Sequence, residues 1–360
     1  MNLRDDSFLY TAEEETMPKR HFIDDLKACE ELWNTLIPVY AVSDMWEFRM
    51  CFHRHFGHEP CFMVLEDSEG ISGMLPLSYM NCEEMIGFFP GEIWKERTWL
   101  ERTPFHVRDR GMLDDLLYSC PDGTYLRYME VPPEPYSQLL ELDEIGYVLY
   151  PSRLDFKLET YSRKFSNKKF KSIMKVIDSI RRPGSKFHIN RLEDFETLVN
   201  MSIQNFGADS YLHDHRFRKS FRDVIHFLHN RGWLHMVSLE IMDKTVAVDI
   251  GALCNGIYTV YLGGTCPDLP GVAKVMNMYH IEHALRNRVL KVDFLCGDFH
   301  WKKLWHLDPE PLYKFVAPSL LKESQVDSLR RDDYQFIAET RIEDSSAINR
   351  KGLSASKNLS

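Results

Sequence analysis

Long apolar runs are missing from this chain of 360 residues, and no window approaches the roughly 18 consecutive apolar residues of a transmembrane helix. The first residues, MNLRDD, are acidic and lack the apolar core of a secretory signal peptide. The eight cysteines are scattered, without a CxxC pair. These absences lead us to expect a cytoplasmic protein with free thiols and no membrane partner.

Metal-binding motifs are also lacking. The fifteen histidines include two groups, His53, His55 and His58 in one and His213 and His215 in the other. Neither group has the HExxH spacing of a zinc helix or a paired set of cysteines. We therefore expect no metal site and predict that these histidines lie in loops or on the surface.

Acidic residues outnumber basic ones, 54 to 44, and the resulting formal net charge of −10 argues against general nucleic-acid binding. Residues 161–191 are the exception, with ten Lys or Arg residues and one acidic residue, Asp178. This basic window has three open interpretations: a solvated helix face, a surface for a phosphate-bearing or other anionic ligand, and an RNA contact. The two binding roles would be strongly salt-dependent.

The first half of the chain alternates short apolar runs with turns. Residues 46–56 fit an amphipathic helix, residues 61–77 fit a β-hairpin around the turn DSEG, and a helix is expected near 111–119. Strands are expected near 125–130 and 146–150. Residues 1–40 are predicted to form a loose arm and a first helix.

The second half has a clearer order of elements. It predicts a short strand at 154–158, helices at 162–179, 192–206 and 215–230, and then an antiparallel meander of strands 234–241, 245–254 and 258–264. A helix at 271–288, a strand at 289–296 and a last strand at 312–317 follow. This order predicts an α+β fold in which strands 258–264 and 289–296 are parallel neighbours. Such neighbours can diverge at their C-terminal ends, next to a helix N-terminus that suits an anionic group.

Three segments carry a family resemblance: residues 258–264 (YTVYLGG), residues 269–271 (LPG) and residues 293–305 (DFLCGDFHWKKLW). Together they resemble the C-terminal part of GNAT-type acyltransferases of the CelD-like group, which are distantly related to the Fem aminoacyltransferases. The basic window and the Pro-Leu strand end at 76–77 are similar to the same group. Trp301 stands where that group usually has tyrosine, so a role that requires a phenolic hydroxyl is not expected here.

The resemblance implies two GNAT-like lobes, each a mixed, mainly antiparallel sheet flanked by helices. The N-terminal lobe would span residues 41–150 and the C-terminal catalytic lobe residues 151–320, followed by a polar, partly disordered tail at 321–360. It implies an N-acyltransferase that moves an acyl group from acyl-CoA to a small-molecule amine, amino sugar or amino acid. Acyl-CoA would be a co-substrate, and no permanently bound cofactor is expected.

Catalytic candidates are the carboxylates and the lysine near the ends of these strands. Asp298 could cap the helix that follows it, orient an amine or polarise a water, and Asp249 could be a general base or part of a structural ion pair. Lys302 could pair with a carboxylate or phosphate or lie in solvent. Asp293 sits inside an apolar strand and therefore needs a partner or a raised pKa.

Binding candidates surround the predicted helix start and the final aromatic pair. The acyl donor would contact residues of the loop and strand end: Gly263, Gly264, Pro270, Gly271, Val272 and Lys274. The acceptor or acyl group would contact Trp301, Trp305, Asp293 and Tyr261, although the two tryptophans share a helical face that also suits core packing. No Cys/His or Ser/His arrangement indicates a covalent nucleophile.

Two alternatives to the acyl-CoA enzyme remain. Aminoacyl-tRNA could be the donor, as the Fem relatives imply, but the acidity of the chain favours acyl-CoA. A non-catalytic ligand-binding protein that keeps the fold is the other alternative. The acceptor, the acyl chain length and the oligomeric state do not follow from the sequence.

Overall fold

The computed structural model describes residues 18–81, 84–95, 97–130, 137–181, 184–297 and 300–317. The predicted arm up to residue 17 and the predicted tail at 321–360 lie outside these residues. The helices are α1 (Leu26–Leu36), α2 (Trp46–Phe56), α3 (Leu113–Tyr118), α4 (Leu158–Ser162), α5 (Asn167–Ile180), α6 (Asp194–Phe206), α7 (His215–Asn230), α8 (Val272–Arg286) and α9 (His300–Leu304).

The strands alternate with these helices along the chain. They are β1 (Lys19–Ile23), β2 (Glu59–Pro60), β3 (Phe62–Asp67), β4 (Gly70–Leu75), β5 (Leu77–Met80), β6 (Met85–Phe88), β7 (Ile93–Trp94), β8 (Arg97–Thr98), β9 (His106–Val107), β10 (Tyr125–Met129), β11 (Glu141–Leu149), β12 (Ser185–Ile189), β13 (Leu234–Ile241), β14 (Lys244–Cys254), β15 (Ile257–Thr265), β16 (Lys291–Asp293) and β17 (Asp308–Val316).

The largest sheet in the described residues has the strand order β10-β17-β11-β16-β15-β14-β13-β12. Its pairs are antiparallel except β15 and β16, which run parallel with Tyr258 opposite Val292. The predicted meander and its parallel neighbour are therefore confirmed. β10 and β11 come from the first half of the chain, so this sheet contains strands from both sides of the division predicted at residue 150. A smaller sheet, β1-β3-β4-β9, contains the predicted hairpin.

Two apolar layers cover the two faces of the large sheet. On one face, α5 and α8 pack over a core that includes Ile177, Val275 and Tyr258. On the other face, α6 and α7 pack over a core that includes Phe221 and Ile250, and α2 packs against α7. Helices of both halves therefore bury the same sheet face. The predicted α+β class with mixed, mainly antiparallel sheets is confirmed.

Local chemistry explains where the well-predicted helices begin and end. Helix α2 ends at Gly57, whose φ of 68° is the left-handed conformation that favours glycine. Asp214 caps α7 by accepting a hydrogen bond from the backbone N–H of Arg216. Ser166 caps α5 by accepting from Lys169 N at 3.3 Å. The basic window thus forms the helices α4 and α5, and its lysines on α5 are exposed.

Several strands differ from the prediction. The strand predicted at residues 154–158 is wrong: a 3-10 turn, Pro151–Leu154, leads into α4, and Asp155 and Phe156 have positive φ values of 53° and 56°. Apolar and polar residues alternate here because Leu154, in the turn, and Leu158, at the start of α4, both reach the core. The strand predicted at 289–296 is shorter, Lys291–Asp293. Strands β1, β2, β5 to β9 and β12 were not predicted.

Candidate active site

Strands β15 and β16 separate soon after they meet. Their parallel pairing ends where Thr259 lies opposite Asp293, whereas β15 continues to Thr265. Leu262 pairs with Ile250 and Val260 pairs with Gly251 on β14, so Tyr261 is the extra residue of a β-bulge. Among the described residues, no strand pairs with residues 260–265 on the side that β16 has left.

A cleft opens where these strands separate, and it holds about 550 Å³ of empty space, part of it open to solvent. Both halves of the chain form its walls. From the first half come Ala41, Ser43, Trp99, Leu100, Glu101, Arg102, Glu130, Gly146 and Val148, and from the second half come Thr259, Tyr261, Asp293, Leu295, Cys296, Glu310 and Leu312. The cleft therefore includes two predicted site residues, Tyr261 and Asp293.

Glu101 is the most strongly perturbed carboxyl group of the cleft. One of its oxygens accepts a hydrogen bond from the backbone N–H of Cys296. Burial raises the pKa of Glu101 to about 7, although the charge of Lys302 and the Cys296 hydrogen bond oppose that rise. A carboxyl group with a pKa near 7 can both accept and release protons at physiological pH.

Lys302 is buried beneath residues 295 and 296, which line the cleft. Its ammonium group donates to the carbonyl oxygens of Leu295, at 3.0 Å, and of Cys296. Burial lowers the pKa of Lys302, while the nearby charges of Glu101, Cys296 and Asp293 raise it. The lysine therefore holds the backbone after β16 in place and lies close enough to Glu101 to act on it through its charge.

Asp293 and Tyr261 form part of the cleft surface near the end of β16. Asp293 Oδ1 accepts from the backbone N–H of Leu295 at 2.9 Å, which turns the chain where Leu295 has a φ of 60°. The Tyr261 side chain is buried and its ring packs against Phe48 and Trp99, at centroid distances of 5.4 and 5.7 Å. Its hydroxyl makes no hydrogen bond of acceptable geometry within the described residues. Burial raises the Tyr261 pKa.

Asp249 lies in β14, where its side chain meets α8. Its Oδ2 is 2.7 Å from Nε2 of the buried His280, whose Nδ1 is 2.8 Å from the hydroxyl of the buried Tyr258. This chain supplies the partner that an aspartate in an apolar strand requires, and it replaces the predicted ion pair with the basic helix. A Cβ on Gly263 would lie 2.3 Å from Asp249 Oδ1, so this carboxylate occupies the space that glycine leaves.

The other predicted donor-binding residues surround the start of α8. Gly271 has a φ of 96°, and a Cβ there would meet Val176 of α5 at 2.6 Å. Val272 is buried, whereas Pro270 and Lys274 are exposed. A Cβ on Gly264 would meet Leu198 of α6 at 2.7 Å, so close packing explains that glycine. The donor-binding roles of these residues stay predictions.

The two predicted tryptophans do not line the cleft. Trp305 is buried in the core beneath α5 and α8, and its carbonyl accepts from the hydroxyl of Tyr161. Trp301 packs edge-on against Phe294, with ring centroids 6.1 Å apart. Both contacts are those of core residues, and the substrate-binding role stays a prediction. Asp298, the first catalytic candidate, lies outside the described residues.

Sequence reasoning missed Glu101, Arg102 and Glu130. These residues reach the cleft from the first half of the chain, and nothing in their local sequence indicates which strands they will face. The only available signal was a pair of charged residues, Glu101 and Arg102, directly after the apolar pair Trp99 and Leu100.

The sulfur of Cys296 faces the same cleft. Burial raises its pKa well above the usual 9, and the charges of Glu101 and Glu144 raise it further. The group is therefore a thiol at neutral pH, which is the unreactive form. Within the part of the chain that the structure describes, no three His, Cys, Asp or Glu side chains are grouped to hold a metal ion, and no helix is long and apolar enough to cross a membrane.

Residues 167–303 match the model of a family described as the acetyltransferase (GNAT) domain. Over these residues the chain is therefore similar to the GNAT family of acyltransferases. The match includes α5, the meander, α8 and Lys302, whereas Glu101 lies outside it.

Two solved structures show the same fold at low sequence identity. One is FemX, with a TM-score of 0.52 and 9% identity over 85% of this chain and 99% of that chain. The other is the C-terminal domain of a putative lysylphosphatidylglycerol synthetase from Agrobacterium fabrum, with a TM-score of 0.51 and 10% identity over 85% of this chain and 97% of that chain. No curated protein matches the sequence. The division of the chain into two GNAT-like lobes at residues 41–150 and 151–320 stays a prediction.

Proposed function

We propose that this protein is an N-acyltransferase that moves an acyl group from an acyl-CoA thioester to an amine. The observation that carries the proposal is the open edge of β15 beside a cleft that contains Glu101. That edge lies in the segment that matches the acetyltransferase family. A cytoplasmic location fits an acyl-CoA donor and stays part of the proposal.

The acyl donor would lie along residues 260–265. A strand edge without a neighbour presents backbone N–H and C=O groups, which bind extended amide-containing ligands in the manner of an added strand. An N–H group of this edge would also donate to the thioester oxygen as negative charge develops on it. The backbone and Lys274 at the start of α8 would then bind the phosphates.

Glu101 would be the general base of the reaction. Its carboxylate takes a proton from the ammonium form of the acceptor, and the neutral amine attacks the thioester carbonyl carbon. A C–N bond forms, the tetrahedral intermediate collapses, and the C–S bond breaks to release the CoA thiolate, which is protonated on leaving. The positively charged nitrogen of the intermediate loses one proton to solvent. Because the amine attacks the thioester directly, no covalent enzyme intermediate is required.

The earlier catalytic candidates take other roles in this proposal. Lys302 would set the position of Glu101 by holding residues 295 and 296. Asp249 would support β15 from the α8 side, because one of its oxygens is already bonded to His280. Asp298 keeps its predicted role as a capping or orienting group, and Trp301 and Trp305 keep theirs as an aromatic wall for the acceptor or acyl group.

The donor can be tested by isothermal titration with acetyl-CoA and longer acyl-CoAs, together with an assay for release of free CoA in the presence of amines. We expect binding and amine-dependent release. Lys274→Glu should weaken acyl-CoA binding about tenfold by placing negative charge beside the phosphates. Lys244→Glu, at the exposed start of β14, is the matched control and should bind normally.

Aminoacyl-tRNA is the alternative donor, and the exposed lysines of α5 are the surface that would bind it. A gel shift with charged tRNA at low and moderate salt distinguishes the two donors. Retention of charged tRNA without binding of any acyl-CoA would overturn the acyl-CoA proposal. Absence of both would favour the non-catalytic alternative.

A further inference from the structure

The charges around the cleft are unequal. Four carboxylates line it, those of Glu101, Glu130, Asp293 and Glu310, whereas Arg102 is the cationic side chain among the lining residues that the structure describes. The carboxylates come from four separate segments of the chain. Their convergence on one cleft is therefore a property of the fold.

The cations near the cleft are already committed to partners within the protein. Arg102 donates from Nε to Asp44 Oδ1 at 3.0 Å and from Nη1 to Glu130 Oε1 at 2.7 Å. Lys291 Nζ is 2.7 Å from Glu310 Oε2, and the other Glu310 oxygen accepts from Tyr150. A negatively charged substrate would therefore meet carboxylates and no cation with spare charge.

Several acceptor oxygens remain available in the cleft. Asp293 and Glu101 each accept one backbone hydrogen bond, at Leu295 N and Cys296 N. Glu101 also interacts with the Cys296 side chain, whereas the second oxygen of Asp293 has no hydrogen-bond partner in the described residues. The Tyr261 hydroxyl, on a side chain that is 93% buried, is likewise without a partner there. The free Asp293 oxygen and the Tyr261 hydroxyl oxygen can each accept a hydrogen bond from an ammonium group.

We propose that the acceptor of this enzyme is an aliphatic diamine, in which one nitrogen is acylated and the second, still protonated, is bound by Asp293. The inference rests on the proposed N-acyltransferase function and adds the class of its acceptor. The reacting nitrogen lies next to Glu101. The second ammonium group lies between the free oxygen of Asp293 and the Tyr261 hydroxyl, with Glu130 adding negative charge.

Proximity of Asp293 to its neighbours supports this arrangement. Asp293 is close enough to Glu130 to raise the pKa of that carboxyl group, although burial is the larger cause, and Arg102 opposes both effects. Four carboxylates, those of Asp44, Glu130, Asp293 and Glu310, surround the two cations Arg102 and Lys291, which leaves a surplus of negative charge. A second cation from the substrate would neutralise that surplus, and a monoamine would not.

Binding of three ligands of similar length tests the acceptor class without requiring turnover. We would titrate the protein with 1,4-diaminobutane, n-butylamine and 4-aminobutanoate at low salt, with and without CoA present. The diamine should bind at least tenfold more tightly than butylamine, and 4-aminobutanoate should bind most weakly. Equal affinity for the three ligands, or a preference for the carboxylate ligand, would overturn the diamine assignment.

Asp293→Asn is the matched variant, because asparagine keeps the oxygen that accepts from Leu295 N. It should reduce the preference for the diamine over butylamine to less than threefold, whereas Glu196→Gln, on the exposed face of α6, should leave it unchanged. If Asp293→Asn does not fold, the comparison of the three ligands on the natural protein still tests the diamine assignment. Acyl transfer is measured separately, so diamine binding without CoA release would contradict the proposed function and leave the ligand class standing.

Discussion

Two sets of polar residues flank β15, and they differ in the partners of their carboxylates. In the cleft, Glu101 and Asp293 each accept a hydrogen bond from a backbone N–H of the segment that follows β16. In the chain Tyr258–His280–Asp249, both ring nitrogens of the histidine have partners, and the Tyr258 and His280 side chains are buried.

This difference separates a group that can exchange protons with a substrate from one that holds the structure together. A buried histidine with partners on both ring nitrogens is costly to disturb, because any change leaves a charge or a donor unsatisfied. Glu101, by contrast, lines a cleft, and burial raises its pKa to about 7. We therefore expect substitutions in the cleft to change activity and substitutions in the buried chain to change stability.

The largest effect is expected for Glu101→Gln. Loss of the general base should lower kcat/KM about a thousandfold, with the free energy of unfolding little changed, because glutamine still accepts from Cys296 N. The measurement is CoA release with the best amine acceptor, alongside urea unfolding. Glu196→Gln is the control. Full activity in Glu101→Gln would mean that another residue is the general base, and it would contradict the contrast drawn between the two sets of residues.

The pH dependence of kcat/KM, compared between the natural protein and Glu101→Gln, tests the assignment of Glu101 as the general base. Because burial raises the pKa of Glu101 to about 7, kcat/KM should rise as pH increases through 7, where the carboxylate forms. The Glu101→Gln variant should lack that limb. Stability has the opposite sign: the folded state retains a proton that the unfolded chain releases from about pH 4.5, so this group lowers stability as pH rises from 4.5 to 7. Glu92→Gln is the control for the pH profile, because burial also raises the pKa of Glu92 to about 7. It should keep the rising limb of kcat/KM.

His280→Ala tests the buried chain. Removing the imidazole leaves Asp249 with an unpaired charge and Tyr258 without an acceptor, so the free energy of unfolding should fall by about 3 kcal/mol. Urea denaturation measures this loss. Activity per folded molecule at a temperature where the variant is native should change far less. A variant as stable as the natural protein would show that the chain is not structural.

Lys302→Met links the two groups, because the lysine supports the cleft from below. Two buried carbonyls would lose their donor, so the free energy of unfolding should fall by about 2 kcal/mol. The charge of Lys302 lowers the pKa of Glu101, and its removal should move the rising limb of kcat/KM to higher pH. An unchanged limb would mean that Glu101 does not set the pH profile.

Tyr258→Phe should have the smallest effect. Only the hydroxyl that pairs with His280 is lost, so a decrease of about 1 kcal/mol in the free energy of unfolding is expected, with kcat/KM unchanged. Thermal or urea unfolding and the CoA-release assay measure the two quantities. A large fall in kcat/KM at constant stability would place the Tyr258–His280–Asp249 chain in the reaction itself.

The elements that sequence reasoning predicted well carry their information locally. Alternation and Gly-containing turns define β13 to β15, and an amphipathic pattern with a clear cap defines α7. Strand β16 was predicted too long because Val292, Phe294 and Cys296 are all apolar, whereas the Asp293 carboxylate and the positive φ of Leu295 end the strand early.

The site was less predictable because its contacts are long in sequence. Glu101 and Cys296 are 195 residues apart, so their hydrogen bond depends on how the two halves pack. Tyr261 and Asp293 were predictable because they flank the point where two neighbouring strands separate. Lys302 was predicted as a polar site residue, but its burial and its two carbonyl acceptors followed only from the structure.

The position of β11 constrains how substrates reach the cleft. This strand, from the first half of the chain, is hydrogen-bonded to β16 on one side and to β17 on the other. Swinging one lobe away from the other would break ladder hydrogen bonds, so the walls of the cleft are held at a nearly constant spacing. Such an enzyme would select its amine by a preformed pattern of charge, and its turnover would depend on side-chain rearrangements at the mouth and little on closure of one lobe over the other.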